Sequence, residues 1–204
     1  MGRLTLVNLV IPIYFVPAGT LLQHVSRMQY RGSPLYYGNG GDCRYDDPLM
    51  DYGVLYLGFD LDTALMESVF HQHKWISGRR AITTAEIAQR LVRAVGILQD
   101  MRLADLTAPN VMASALGLNL HQMTSRRYVH TQNVSAMVYN NNAPDGQPYD
   151  GILFPSRNNF PGKCVALFSR AHSLVGVEKD IPLDTHRDWP EFLRKYQVGI
   201  KLVS

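Results

Sequence analysis

Cysteine is scarce in this chain: Cys43 and Cys164 are the only two, far apart in sequence and without metal-type spacing. That argues against a disulfide framework and a cysteine-built zinc site, and a reducing compartment is the simpler setting. Charge is thin as well, at 18% of residues, with 20 Lys and Arg against 17 Asp and Glu and a formal net charge of +3. The sequence pI is near 8.9, yet no run of five or more like charges occurs. A nucleic-acid-binding stripe is therefore not indicated, although a mildly positive field suits an anionic small molecule. No repeat, low-complexity tract or Pro/Gly/Ser-rich linker divides the 204 residues, so one domain over 1–204 is expected.

Apolar residues, in contrast, are plentiful at 46%, enough for a substantial core. Residues 4–16 form an apolar stretch, but Asn8, Pro12 and the lack of a small-residue cleavage site argue against a signal peptide. The stretch is too short for a membrane span and reads as a buried strand. Residues 20–60 read as strands joined by turns, with Asn39-Gly40 a strong turn signal and 53–59 a short buried strand. Asp60 and Asp62 offer caps to a helix over 63–73, and Thr83 with Glu86 forms a capping box for a second, carrying Ile87, Leu91 and Val92. A strand over 94–106, a short helix, and a helix over 125–139 follow. After the loop at 140–146 come buried strands at 151–155 and 164–168, then a strand, a helix after Pro190 and a last strand ending near Val203. Helices and strands mix without a strict βαβ alternation, which indicates an α+β fold.

Few residues announce chemistry by themselves. The Gly-Asn-Gly-Gly loop at 38–41 could present backbone N–H groups to a phosphate, but it lacks both the P-loop and the dinucleotide spacing and reads equally as a hairpin turn. His71 and His73 are spaced wrongly for one helical face, so no metal site is expected. Ser156 follows a predicted strand without the flanking glycines of a nucleophile elbow. Arg44 would ordinarily pair with Asp46 or Asp47, and Tyr56 would ordinarily be core. Glu67 sits among Leu65, Met66, Val69 and Phe70, where a carboxylate is either at a solvent edge or functional.

Taken in order, the segments Pro-Leu-Tyr-Tyr-Gly (34–38), Cys-Arg-Tyr-Asp-Asp-Pro (43–48), Tyr-Gly-Val-Leu-Tyr-Leu-Gly (52–58) and Thr-Ala-Leu-Met-Glu-Ser (63–68) resemble the RES domain. So do Tyr128 with Thr131-Gln132, and Asp-Gly-Ile-Leu-Phe-Pro-Ser-Arg (150–157) followed by Cys-Val-Ala-Leu-Phe (164–168). The resemblance covers residues 17–170 and leaves 171–204 as a C-terminal strand–helix–strand extension. It implies a single compact domain with an ADP-ribosyltransferase-like split β-sheet core flanked by helices. It also implies Glu67, Arg44, Tyr56 and Ser156 as catalytic residues. His24 stands where the family carries its first arginine; Arg27 and Arg31 lie close enough to serve in a shifted register. His24, Arg31, Arg44, Tyr56 and Ser156 are thus the expected binding residues.

The resemblance further implies a toxin that consumes NAD⁺ as a substrate, with no cofactor, acting in the cytoplasm and restrained by a cognate antitoxin. An immunity protein opposing a secreted effector would leave the same sequence. The expected reaction cleaves the nicotinamide–ribose bond, as a glycohydrolase with water or a phosphorylase with phosphate. A protein ADP-ribosyltransferase and an inactive binding module are the alternatives. No nucleic-acid or membrane partner is expected, and homo-oligomerisation is left open.

Overall fold

Successive apolar runs of the chain become neighbours in one mixed sheet, because strands buried on both faces can satisfy their backbone groups only by pairing. The computed structural model describes residues 10–71, 80–108, 110, 111, 116–119, 121, 122, 125 and 127–202. Its strands are β1 (Ile13–Val16), β2 (Leu21–Arg27), β3 (Val54–Gly58), β4 (Ala81–Thr83), β5 (Arg90–Ile97), β6 (Met101–Asp105), β7 (Gly151–Pro155), β8 (Lys163–Phe168), β9 (Val175–Pro182) and β10 (Gly199–Lys201). The helices are α1 (Leu61–Ser68), α2 (Thr84–Ala88), α3 (Val129–Asn140) and α4 (Trp189–Lys195). Eight strands order as β1-β6-β7-β8-β3-β2-β5-β9, and β10 pairs with β4 in a small parallel sheet. The fold is α+β: within the large sheet only β6 and β7 run parallel.

The sheet is nearly divided at its centre. β2 and β5 pair over seven successive positions from Leu21↔Gly96 to Arg27↔Arg90, whereas β2 and β3 meet at Gln23↔Gly58 alone. Side chains follow the two-residue alternation of strands. On β8, Cys164, Ala166 and Phe168 face one cluster, and Val165 and Leu167 face another. One side of the sheet carries a continuous apolar layer that includes Leu22, Leu57, Val95, Leu103 and Leu153. The helical side carries two separate clusters. The first packs under α3 through Val134 and Val138, and the second under α1 and α4 through Leu65 and Phe192.

Local sequence explains how α1 is placed. The Asp60 carboxylate accepts from the Thr63 N–H at 2.7 Å and caps the helix. Gly58 lets its first turn lie on β3: a Cβ there would stand 2.7 Å from the Ala64 nitrogen and 3.0 Å from the Asp60 carbonyl oxygen.

Several elements depart from the sequence expectation. The strand expected over 94–106 is two, β5 and β6, separated by residues 98–100. Thr83 caps α2, its hydroxyl accepting from the Glu86 N–H at 3.1 Å, while the Glu86 carboxylate accepts from Arg90 at 2.7 Å; α2 ends at Ala88. Leu91 and Val92 belong to β5, where both are buried, so burial between β2 and β9 outweighs the helical spacing. Helix α1 stops at Ser68, and α3 begins at Val129 instead of 125. The strand expected over 4–16 forms at Ile13–Val16, and residues 10–12 precede it outside any strand; residues 4–9 and His73 lie outside the described residues.

Gly58→Ala should push α1 off β3 and cost about 1–3 kcal/mol, the usual scale of overpacking, measured as a lower midpoint in urea unfolding.

Candidate active site

The separation of β2 from β3 opens a cleft of about 500 Å³ at the seam between the two helical-side clusters. Four of the six expected site residues line it: His24 from β2, Arg44 from the 41–48 loop, Tyr56 from β3 and Glu67 from α1. Phe154 and Cys164 close its apolar floor.

Glu67 is held on one oxygen. Its Oε1 accepts from the Ser156 hydroxyl at 2.6 Å, the Asn158 N–H at 2.9 Å and the Asn158 side-chain amide at 3.2 Å. Oε2 has no hydrogen-bond partner among the described residues, so the carboxylate is oriented by one atom and presents the other to the cleft. Ser156 itself is buried and does not line the cleft. Its hydroxyl donates to Glu67 and accepts from the Asn159 N–H at 2.8 Å. Ser156, expected as a catalytic and binding residue, thus meets the cleft through Glu67 and is not among the residues that line it.

Arg44 is also buried, at 8% exposure, yet pairs with neither of the carboxylates next to it. Asp46 accepts from the Cys43 N–H and the Tyr56 hydroxyl, both at 2.9 Å. Asp47 accepts from the N–H groups of Leu49, Asp51 and Tyr52. Both acids are committed to shaping the loop. The guanidinium instead lies 5.5 Å over the Phe154 ring and lines the cleft. From the other side, Gln132 on α3 donates to the Gly41 and Cys43 carbonyls at 2.7 and 3.1 Å and fixes the loop.

Tyr56 ties that loop to the sheet. Its hydroxyl donates to Asp46 and accepts from the Tyr45 N–H at 2.8 Å. Burial, with the Asp46 charge beside it, pushes the phenol well above its ordinary range, so it stays protonated. Its ring remains available as a wall of the cleft.

His24 answers the question of register. β2 pairs with β5 without a slip and places His24 opposite Arg93, while Arg27 and Arg31 are exposed and do not line the cleft. The expected binding role of Arg31 is therefore not one this geometry allows. The His24 Nδ1 lies 2.9 Å from the Tyr56 carbonyl oxygen and must carry the proton, since a carbonyl can only accept. Nε2 is then an acceptor without a partner among the described residues. Burial lowers the imidazole pKa, and the positive charge of Arg93 adds to this. Arg93 is fully buried, 3.0 Å from Asp180, and donates to the Ser26 hydroxyl and the Tyr30 carbonyl.

The cleft also takes in residues that local sequence did not single out, among them Gln23, Asp42 and Arg157. Asn158 went unread because half of its contribution is a backbone N–H. Both thiols are held toward the protonated form. Burial, with Asp46 and Asp42 adding, pushes Cys43 up to about 11, and burial pushes Cys164 higher still.

A family model described as the RES domain matches residues 21–190. No curated protein matches the chain.

Unfolding releases His24 to protonate near its ordinary value of 6.5, whereas the folded ring resists protonation. Its contribution to stability is full above about pH 6.5 and is lost as pH falls below that, because the unfolded chain then binds the extra proton. His24→Asn, whose amide can still donate to the Tyr56 carbonyl, should lose less stability than the wild type between about pH 7 and pH 5 in paired urea titrations.

Proposed function

The chain belongs to the RES-domain family, and from that premise we propose that it is a toxin that cleaves NAD⁺ at the nicotinamide–ribose bond. RES domains are associated with NAD⁺-acting toxin–antitoxin systems. The observation that carries the finer reading is the pairing of an oriented carboxylate with a buried, acid-free guanidinium in one apolar-floored cleft. That combination suits a substrate with a ribose about to become cationic and a pyrophosphate that is already anionic.

In the proposed reaction the bond between ribose C1 and the pyridinium nitrogen breaks, and its electron pair stays on nitrogen. Nicotinamide leaves neutral and needs no general acid. The cost is positive charge on the ribose. The free Oε2 of Glu67 stabilises that charge, and does so more strongly because its donors are fixed beforehand. Arg44 holds the pyrophosphate with a guanidinium fork that requires no carboxylate to be displaced. The Tyr56 ring walls the nicotinamide slot, and the His24 Nε2 accepts from a ribose hydroxyl. Water or phosphate then bonds to C1, loses a proton to solvent if it is water, and yields ADP-ribose or its phosphate ester. Depletion of NAD⁺ is the toxic event, and a cognate antitoxin or immunity protein restrains it.

The test is NAD⁺ loss by purified protein, with and without phosphate, beside the isosteric Glu67→Gln. Wild type should consume NAD⁺ and the variant should be slower by about 10²–10³-fold in kcat, the scale of a lost preorganised electrostatic contact. Arg44→Ala should act mainly on KM. The products name the acceptor; labelled protein in place of free ADP-ribose would indicate a transferase, and no loss of NAD⁺ would sink the reading.

A further inference from the structure

The clamp on Glu67 is built by the loop at 156–162, and that loop is anchored through one side chain. Asn159 uses all of its polar groups. Its backbone N–H donates to the Ser156 hydroxyl at 2.8 Å, its side-chain N–H donates to the Thr63 hydroxyl at 2.9 Å, and its Oδ1 accepts from the Tyr196 hydroxyl at 2.6 Å. Thr63 is fully buried in the first turn of α1, the helix that carries Glu67. Asn159 thus joins the helix that presents the carboxylate to the loop that orients it. Gly162 allows the close approach, since a Cβ there would collide with the Thr63 hydroxyl and stand 2.7 Å from the Asn159 carbonyl oxygen.

The amide is set with Nδ2 toward the Thr63 hydroxyl and Oδ1 toward the phenol. Tyr196 holds the Oδ1 end of that setting. It follows α4, packs its ring 4.7 Å from that of Phe192, and lies beyond the residues 21–190 matched by the family model. Its hydroxyl also lies 3.3 Å from Asp62, but the phenol has one proton and the shorter contact to Asn159 takes it. Burial and the Asp62 charge both raise its pKa, which keeps that proton in place.

We infer that Tyr196 is a positioning residue for the Glu67 site, acting from the C-terminal segment through the Asn159 side-chain amide. The inference takes Glu67 as the working carboxylate and so rests on the proposed function. Without the phenol the amide loses its preferred setting, Ser156 and Asn158 lose their support, and Glu67 is held less well. Ligand-binding groups on the far wall of the cleft, Arg44 and His24, are untouched.

The experiment compares Tyr196→Phe, Asn159→Ala and the double variant by NAD⁺ kinetics and by amide hydrogen exchange at Asn158 and Asn159. Tyr196→Phe keeps the ring packing and removes one hydrogen bond. It should lower kcat about tenfold with KM within about twofold, the scale of one such bond, and raise exchange at both amides. The double variant should be no slower than Asn159→Ala, because the phenol acts through that residue. Lys195→Ala, which removes the exposed pair with Asp62 and the ammonium 5.2 Å from the Tyr196 ring but leaves the phenol–Asn159 hydrogen bond, should match wild type in both readouts. Additive losses in the double variant, unchanged exchange in Tyr196→Phe, or an equal effect of Lys195→Ala would each overturn the inference. If wild type does not consume NAD⁺, the proposed function fails, and the exchange measurements still decide whether Tyr196 holds the loop.

Discussion

The loss of pairing between β2 and β3 is the constraint from which the site follows. Two adjacent strands that share a single register position leave backbone groups to be satisfied by other means. Here a side chain takes part of that role: the His24 ring bonds the Tyr56 carbonyl across the opening. The same separation keeps the two helical-side clusters from merging, so that α1 and the 41–48 loop approach from opposite sides and face each other over the gap.

The charges obey the same division. A buried guanidinium is expensive to desolvate, and proteins normally compensate it with a carboxylate. Arg93 follows that rule with Asp180. Arg44 does not, although two aspartates follow it within three residues, because Asp46 and Asp47 are occupied by backbone N–H groups and by Tyr56. The donors that orient Glu67 are neutral, the Ser156 hydroxyl and the N–H groups of Asn158. Neither charge neutralises the other within the distance of an ion pair among the described residues, so both fields extend into the cleft, whose partly apolar walls screen them less than bulk water would.

Much of the site was readable before the structure, and the reasons are specific. Glu67, Arg44 and Tyr56 were legible because they interrupt strongly patterned segments, an apolar helix, a turn and a buried strand. Their convergence was not, since the contact order runs through loops whose path no local pattern encodes. Ser156 was expected to contact ribose or nicotinamide, and its 2.6 Å hydrogen bond to Glu67 was not legible because it crosses from the 156–162 loop to α1. Arg31 was close to His24 in sequence, but continuous pairing with β5 carries it past the end of the cleft. In the fold, strands β3, β7 and β8 were clear from their β-branched and aromatic runs. The division at residues 98–100 was obscured because apolar residues continue on both sides of it.

The unbroken apolar layer on the other side of the sheet has a further consequence. Leu22 and Val95 beyond the gap pack in the same cluster as Leu55, Leu57, Val165 and Leu153 before it. Widening the cleft would have to pull this layer apart and expose buried aliphatic surface to water, at about 25 cal/mol for each Å². The cleft therefore resists widening, and its walls limit what can enter. A molecule that fits between them spares the free energy that forcing them apart would consume.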